Sequence, residues 1–392
     1  MPVPDASDRS RSEPHGSQPN RVELNPPESS QLRDESAAPP ELPEQKRADS
    51  EDVQRVIEDL VRGVGAAHLD GSEQSDFQVR LVKELMTAGL KLLPDGRETG
   101  ELKLITAAVK ELRYAYRVFG QYPEPHKVTI FGSARTHPDH PDYKSAVEFG
   151  KQMAETGWMV ITGAGDGIMK AGHEGPGRQA SFGVAIRLPF ETTANDVIAG
   201  DEKLINFRYF FTRKLMFLSQ AEAVALFPGG FGTLDEAYET LTLIQTGKAS
   251  MIPIVCVEHE GGTYWQHFDN FVRKSLLEQG MISEDDLHLY KIFTDPREAA
   301  EHIRRFYRNY HSSRYVRDDL VIRLHKGLRD DDVAELAKEF KSLIARGTIE
   351  QRGAYEVEDD HLELPRLAFT HTRRDFGLVR ALIDRINDFD PA

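Results

Sequence analysis

The sequence has a single cysteine, Cys256, among 392 residues, and it has no long apolar run. One cysteine excludes an intramolecular disulfide framework and is typical of proteins kept in a reducing compartment. No apolar stretch approaches the roughly 20 residues that a membrane-spanning helix needs. The first residues also lack the apolar core of a secretory signal peptide. These absences predict a cytoplasmic protein that does not enter a membrane.

Positive charge is in short supply as well. Lysine and arginine total 49 against 64 acidic residues, which gives a formal net charge of −15. A nucleic-acid polymer needs a basic surface, so this balance argues against DNA or RNA as the partner. One small anionic ligand remains compatible with it, because a helix N-terminus and a few arginines can hold such a ligand locally.

Residues 1–50 are rich in proline, serine and glutamate and contain no aromatic residue. Such a stretch buries too little apolar surface to offset its ordering entropy, so we expect a disordered tail. Residues 51–122 change character, because apolar side chains recur there with a period of 3.6, as at Val53, Ile57 and Leu60. This pattern predicts an N-terminal helical segment.

Residues 123–312 alternate short apolar strands with helices. The pattern predicts strands at residues 128–131, 158–161, 184–188, 223–227 and 252–257, and helices at 143–156, at 210–219 and from Leu234. Between residues 188 and 210 it gives only irregular structure. Strands of this kind imply the α/β class: a Rossmann-like, doubly wound parallel sheet that binds ligands at its carboxyl edge.

Residues 313–392 predict a small C-terminal α+β unit. Its elements are a strand at 320–324, further strand candidates, and helices at 332–343 and 376–386. We find no catalytic motif in this unit.

Three glycine-bearing loops fall at the predicted carboxyl edge. The strongest is Pro228–Gly–Gly–Phe–Gly–Thr233, where three glycines separate a strand from a helix, which favours a phosphate site over a plain tight turn. The loops at Gly132–Ser133 and at Gly163, Gly165 and Gly167 have neither dinucleotide spacing nor a Walker lysine. Their coincidence on one sheet edge favours a nucleotide pocket.

Two charged residues admit two interpretations each. Thr233–Leu–Asp–Glu236 matches a capping box, and the motif by itself favours this interpretation, in which Glu236 only closes a helix N-terminus; the alternative is that Glu236 serves the pocket. Arg213 lies between Phe210 and Phe217 on one helix face. It is either a half-buried cation that needs an anionic partner or an arginine that reaches out to solvent. Asp235 and Glu236 are about 100° apart on a helix, so a glycosidase-like pair is not expected.

The histidines give no metal-ligand spacing. His137, His140 and His173 lie near the first two loops, where solvated positions are expected. Neither a Ser/His/Asp order nor a paired-cysteine motif is present, and we predict no metal site.

Arg213–Lys214 followed by Pro228–Gly–Gly–Phe–Gly–Thr–Leu–Asp–Glu236 resembles the LOG ("lonely guy") family of nucleoside 5′-monophosphate phosphoribohydrolases. The resemblance covers roughly residues 125–260 and rests on the R-K and P-G-G-x-G-T-x-x-E signatures. It implies a Rossmann-like fold, release of free base and ribose 5-phosphate without a cofactor, and a homodimer or higher homo-oligomer. By matching position, Arg213 and Glu236 would be catalytic. The predicted nucleotide contacts are Gly132, Ser133, Gly163, Gly165, Lys214, Gly229, Gly230, Phe231, Gly232, Thr233 and Thr242.

The chain departs from the family pattern in its second loop, where Ala164, Asp166 and Lys170 replace the usual Gly, Pro and Glu. Its length resembles that of the large bacterial nucleotide nucleosidases. We therefore expect an ordinary purine or pyrimidine nucleotide such as AMP rather than a cytokinin precursor. The alternative is a non-catalytic nucleotide or molybdenum-cofactor carrier, which also uses this fold, but the presence of both Arg213 and Glu236 favours the enzyme.

Overall fold

The computed structural model describes residues 50–65, 73–124, 126–187 and 194–390. The predicted tail at 1–50 therefore lies outside the described residues, apart from Ser50. Within the described part of the chain, no helix is long and apolar enough to cross a membrane. The chain divides into two compact units, one ending at Glu111 and the other running from Leu112 to the C-terminus.

The first unit contains helices α1 (Glu51–Gly65), α2 (Glu73–Lys91) and most of α3 (Thr99–Phe119). Contacts between α1 and α2 include an ion pair of 2.9 Å from Lys83 Nζ to Glu58 Oε2 and a hydrogen bond of 3.1 Å from Gln54 Nε2 to Thr87 Oγ1. The described helices agree with the helical periodicity of this region.

The second unit is built on a seven-stranded parallel sheet, which confirms the α/β, Rossmann-like prediction. Its strands are β1 (Lys127–Phe131), β2 (Met159–Thr162), β3 (Ser181–Ile186), β4 (Leu204–Phe207), β5 (Ala223–Leu226), β6 (Ile254–Val257) and β7 (Tyr290–Phe293). The strand order is β4-β3-β2-β1-β5-β6-β7, so the winding reverses between β1 and β5. Ligands of open α/β sheets bind at such a reversal.

Helices cover both faces of this sheet. They are α4 (Pro141–Glu155), α5 (Ile168–Glu174), α6 (Phe210–Ser219), α7 (Phe231–Gln245), α8 (Tyr264–Phe271) and α9 (Pro296–Phe306). On one face α4, α5 and α9 pack on Ile130 and Val255, and on the other α6 and α7 pack around Phe131 and Val224. Burial on both faces explains why the central strands are almost continuously apolar.

The C-terminal part forms a four-stranded antiparallel sheet of order β10-β11-β9-β8. Its elements are β8 (Tyr310–Val316), β9 (Asp319–Leu324), α10 (Asp330–Glu339), β10 (Ile344–Arg352), β11 (Arg366–His371) and α11 (Phe376–Ile386). A buried cluster of ion pairs connects its strands to the segment before β11. The carboxylate of Glu358 forms ion pairs with Arg323 at 2.7 Å and with Arg366 at 2.9 Å. The apolar core on the α6 and α7 face continues into this sheet.

Two strands of the parallel sheet were not predicted. β4 lies in the stretch that was expected to be irregular, and β7 lies where only helices were expected. Both are edge strands of the sheet and are only partly buried, so they lack the continuous apolar run of a central strand. A third difference concerns α7, which begins at Phe231 rather than at Leu234.

Candidate active site

A cleft of about 1220 Å³ opens at the carboxyl ends of the strands on both sides of the winding reversal. Of the predicted site residues it brings together Gly132, Ser133, Gly163, Gly165, Arg213, Gly229, Gly230, Phe231, Gly232, Thr233 and Glu236. Lys214 and Thr242 are not in its lining. The cleft is large enough for a nucleotide, since ligand pockets commonly measure about 300–1000 Å³.

The third glycine loop places the start of α7 at the cleft. Gly230 is the N-cap, with extended backbone and no side-chain hydrogen bond at the cap, and the helical pattern begins with Leu234 N–H donating to Gly230 O at 3.2 Å. The amides of the first helical turn have no carbonyl partner within their own helix and attract an anion. At Gly229 a Cβ would collide with the Thr233 side chain, so the turn needs glycine.

The position of this helix start decides between the two interpretations of Glu236. Because α7 begins at Phe231, Thr233 is the third helical residue rather than the N-cap, and Glu236 lies in the second turn. A capping box requires the glutamate at the third helical position. The capping interpretation is therefore wrong.

Glu236 is instead a buried carboxyl group on the wall of the cleft. Its residue is only 7% exposed, and its Oε2 atom has no hydrogen-bond partner among the described residues. Burial raises the pKa of Glu236 to about 7, although the charges of Lys214 and Arg213 act in the opposite direction. A carboxyl group with this pKa can gain or lose a proton near neutral pH, as general acids and bases must.

Arg213 is half-buried and is held on the floor of the cleft. Its Nε donates to the carbonyl of Val184 at 2.8 Å, and its guanidinium carbon lies 5.1 Å from the centre of the Phe217 ring. The side chain also packs against Gly163, where a Cβ would collide with the guanidinium. Arg213 therefore lines the cleft in a fixed orientation rather than reaching out to solvent.

The two remaining predicted contacts lie elsewhere on the same elements. Lys214 Nζ binds Asp235 Oδ2 at 2.8 Å and Glu239 Oε2 at 2.7 Å. Burial opposes the charge on Lys214, but these two carboxylates raise its pKa overall. Thr242 is exposed near the end of α7. Asp235 also lines the cleft, but its carboxylate is engaged by Lys214.

A buried histidine supports the second loop. His173 is fully buried, which corrects the expectation of a solvated position, whereas His137 and His140 are exposed as expected. Its Nε2 lies 3.0 Å from both Thr162 Oγ1 and the carbonyl of Phe182. Burial lowers the pKa of His173, so the ring is neutral and serves the loop structure.

Ala164 occupies the left-handed region with φ 63°. Its N–H donates to Thr162 Oγ1 at 3.0 Å, and its carbonyl accepts from Asn195 N–H at 2.8 Å. These bonds hold a conformation that costs roughly 1–2 kcal/mol for a residue with a Cβ. Glycine adopts this conformation without that cost.

Besides Asp235, the structure adds four polar residues to the cleft lining that were not predicted as site residues: Arg135, Arg187, Asn206 and Tyr264. Tyr264, at the start of α8, donates from its hydroxyl to the carbonyl of Gly229 at 2.7 Å. Its own N–H donates to Glu258 Oε2 at 2.8 Å, and Glu258 is buried. The third glycine loop is thus held in place by a side chain of α8. No local motif marks this tyrosine, because the contact joins two separate strand-to-helix connections.

Comparisons with known proteins point to the same domain. A family model described as "Possible lysine decarboxylase" matches residues 163–303. The cytokinin riboside 5′-monophosphate phosphoribohydrolase LOG of Oryza sativa subsp. japonica is 32% identical over 148 residues, which is 36% of this chain and 57% of that protein. The probable phosphoribohydrolase LOGL2 of the same plant is 26% identical over 167 residues, or 41% of this chain and 65% of that protein. The alignments therefore span less than two thirds of each relative.

Solved structures with a similar arrangement include the molybdenum cofactor carrier protein of Chlamydomonas reinhardtii. It is 19% identical, with a TM-score of 0.31 over 46% of this chain and 96% of that one. The molybdenum cofactor binding protein of Rippkaea orientalis is 21% identical, with a TM-score of 0.32 over 46% of this chain and 95% of that one. Likeness at this level carries no information about function.

Proposed function

We propose that this chain is a member of the LOG family through its α/β domain and that it hydrolyses the N-glycosidic bond of nucleoside 5′-monophosphates. The products are a free base and ribose 5-phosphate. The observation that carries the proposal is the buried carboxyl group of Glu236, whose Oε2 atom has no hydrogen-bond partner among the described residues. It lines the same cleft as the N-terminus of α7 and Arg213.

The start of α7 supplies the phosphate subsite. The backbone amides of the first helical turn and the positive end of the helix dipole favour a dianionic phosphate at this place. Binding the phosphate, which does not react, positions the anomeric carbon and so contributes to the rate.

Glu236 acts on the ribose as an ionised carboxylate. As the C1′–N bond breaks, the base departs with the electron pair and the sugar becomes positively charged. The carboxylate stabilises this charge and takes a proton from the water whose oxygen bonds to C1′, and a proton from solvent completes the base. The second carboxylate of an ordinary glycosidase is supplied by neither Asp235 nor Glu239, because both bind Lys214.

Arg213 provides a fixed positive charge opposite the reacting groups. Its hydrogen bond to the carbonyl of Val184 sets the plane of the guanidinium, so the side chain needs little reorganisation during the reaction. The guanidinium stabilises either the negative charge that develops on the departing base or the charge of the phosphate. We propose an ordinary nucleotide such as AMP as the substrate class, rather than a cytokinin precursor.

The test is to incubate the purified full chain with AMP, GMP, IMP, CMP, UMP and a cytokinin riboside monophosphate, and to measure free base by chromatography. The Glu236→Gln variant is the matched control for contaminating nucleosidase. Release of base by the wild type alone supports the proposal. Tight nucleotide binding without any release would instead favour a non-catalytic carrier.

A further inference from the structure

A second cluster of chemically reactive side chains lies outside the cleft lining. His140 is the N-cap of α4, Asp142 lies in the first turn of that helix, and His259 follows β6. Asp142 and His259 are 117 residues apart along the chain, yet the three side chains offer ligand atoms that all lie within 4.8 Å of one another. None of the three lines the cleft.

The carboxylate of Asp142 is the centre of the cluster. Asp142 is only 5% exposed, and its Oδ1 lies 2.8 Å from both the backbone nitrogen and the Nδ1 of His259. Its Oδ2 lies 3.5 Å from His140 Nδ1. The two imidazole rings meet edge to face, with their centres 5.6 Å apart. The fold therefore already brings the three side chains together and partly shields them from water.

One contact in the cluster is poorly matched without a cation. His140 Nδ1 accepts a hydrogen bond of 3.1 Å from the N–H of Asp142, so this nitrogen carries a lone pair rather than a proton. His140 Nδ1 and Asp142 Oδ2 are then both acceptors, so no hydrogen bond joins them across their 3.5 Å separation. A cation bound through His140 Nδ1 would take the lone pair that the Asp142 N–H now uses and would link this nitrogen to the carboxylate.

We propose that His140, Asp142 and His259 bind a divalent transition-metal ion. Two imidazoles and one carboxylate are the ligand set of His₂-carboxylate zinc sites and of related first-row metal sites, with the remaining position taken by water. Zn²⁺ is the ion that such a set fits best. The ion would join the segment between β1 and α4 to the segment between β6 and α8.

This bridge has a consequence for the neighbouring cleft. The segment after β1 begins with Gly132 and Ser133, and the segment after β6 leads to Tyr264, all of which line the cleft. A metal ion that fixes both segments would order two walls of the cleft without touching the substrate. The metal site itself does not depend on the proposed hydrolysis.

The experiment is a Zn²⁺ titration of the full chain after dialysis against a chelator, followed by isothermal calorimetry and elemental analysis. Co²⁺ serves as a spectroscopic probe, because its visible bands report nitrogen and oxygen ligation. The variants are His140→Ala, Asp142→Asn and His259→Ala. His137→Ala is the matched control, because His137 belongs to the same loop but its side chain is 76% exposed and lies outside the cluster.

We expect one Zn²⁺ per chain, at least about tenfold weaker binding in each cluster variant, and affinity within about twofold of the wild type for His137→Ala. The melting temperature of the wild type should rise with Zn²⁺ concentration, and that of the cluster variants should not. His140→Ala changes an exposed side chain, so it decides the question even if a variant at buried Asp142 fails to fold. No stoichiometric uptake, or equal affinity in His140→Ala and His137→Ala, would overturn the proposal.

Discussion

Arg213 packs directly on Gly163, so that the guanidinium occupies the space a Cβ at position 163 would need. The glycine of the second loop therefore sets the position of an arginine carried by α6. The backbone carbonyl of Val184 fixes the same side chain from β3. Two elements of the sheet edge thus determine where this positive charge lies in the cleft.

Gly163→Ala should reduce turnover by displacing Arg213, although it removes no functional group. We expect a loss of at least about tenfold in kcat/KM, because small displacements of catalytic groups are costly. Gly165→Ala in the same loop should be milder, since its Cβ would meet the flexible end of Met169. Steady-state kinetics of both variants, with circular dichroism as a check on folding, measures the difference. Equal activity of Gly163→Ala and wild type would show that the position of Arg213 is unimportant.

Arg213→Ala should abolish most turnover while the protein stays folded, because the charge of Arg213 serves the cleft. Arg213→Lys should restore little, since an ammonium lacks the planar fork that holds both Val184 and a ligand. Single-turnover rates and melting temperatures of the two variants provide the measurement. A folded Arg213→Ala protein with near-normal turnover would remove Arg213 from the proposed mechanism.

Glu236→Gln should lower turnover by at least about 100-fold, because an amide neither carries negative charge nor accepts a proton from water. The melting temperature should not fall, since Glu236 makes no capping interaction and a buried carboxylate is less favourable than an amide. Nucleotide affinity should largely persist through the start of α7. Turnover, affinity and melting are to be measured on one preparation, and a stable, fully active variant would refute the catalytic role.

The pH dependence of stability should report the same group. Burial raises the pKa of Glu236 from 4.5 to about 7, so the native state holds this proton more tightly than the unfolded chain. The free energy of unfolding contributed by Glu236 therefore decreases as the pH rises from about 4.5 to about 7 and then levels off. Turnover should rise over the upper part of that range as the carboxylate forms. Denaturant melts at several pH values, compared with Glu236→Gln, should show this pH-dependent difference only if the carboxyl group titrates there.

Tyr264→Phe should weaken substrate binding more than it slows the chemical step. Its hydroxyl braces the Gly229 carbonyl at 2.7 Å, and the loss of one such bond amounts to roughly 0.5–1.5 kcal/mol. We expect KM to rise about twofold to tenfold with a smaller change in kcat. A collapse of kcat at constant KM would instead place the hydroxyl among the reacting groups.

The sequence predicted the fold well wherever hydrophobic periodicity is strong. Helices α6 and α11 have the predicted bounds, and β1, β2, β5 and β6 lie within two residues of their predicted positions, whereas β3 begins three residues earlier than predicted. The edge strands β4 and β7 were not predicted because they are only partly buried, whereas β2, β5 and β6 have the same length but are buried throughout. Tertiary pairing, rather than local preference, makes these residues strands.

The glycine loops and Arg213 could also be placed from the sequence, because each adjoins a predicted strand or helix. The start of α7 could not, since Phe231 and Gly232 are poor helix formers and Gly230 offers no capping side chain. Likewise, no local spacing could bring His259 to Asp142 or Tyr264 to Gly229, because each pair joins distant parts of the chain.

The reversal of winding between β1 and β5 has a consequence for synthesis on the ribosome. β1 emerges early, but its neighbour β5 begins only at Ala223, and Lys127 N–H bonds Glu222 across 95 residues of sequence. Such distant pairing forms slowly, because a long loop must close before any contact offsets its entropy. Nascent chains that end before α7 contain β1 to β5 but no complete cleft. A nucleotide bound as we propose would therefore stabilise only chains that have completed the cleft, and it should draw late folding intermediates toward the native state.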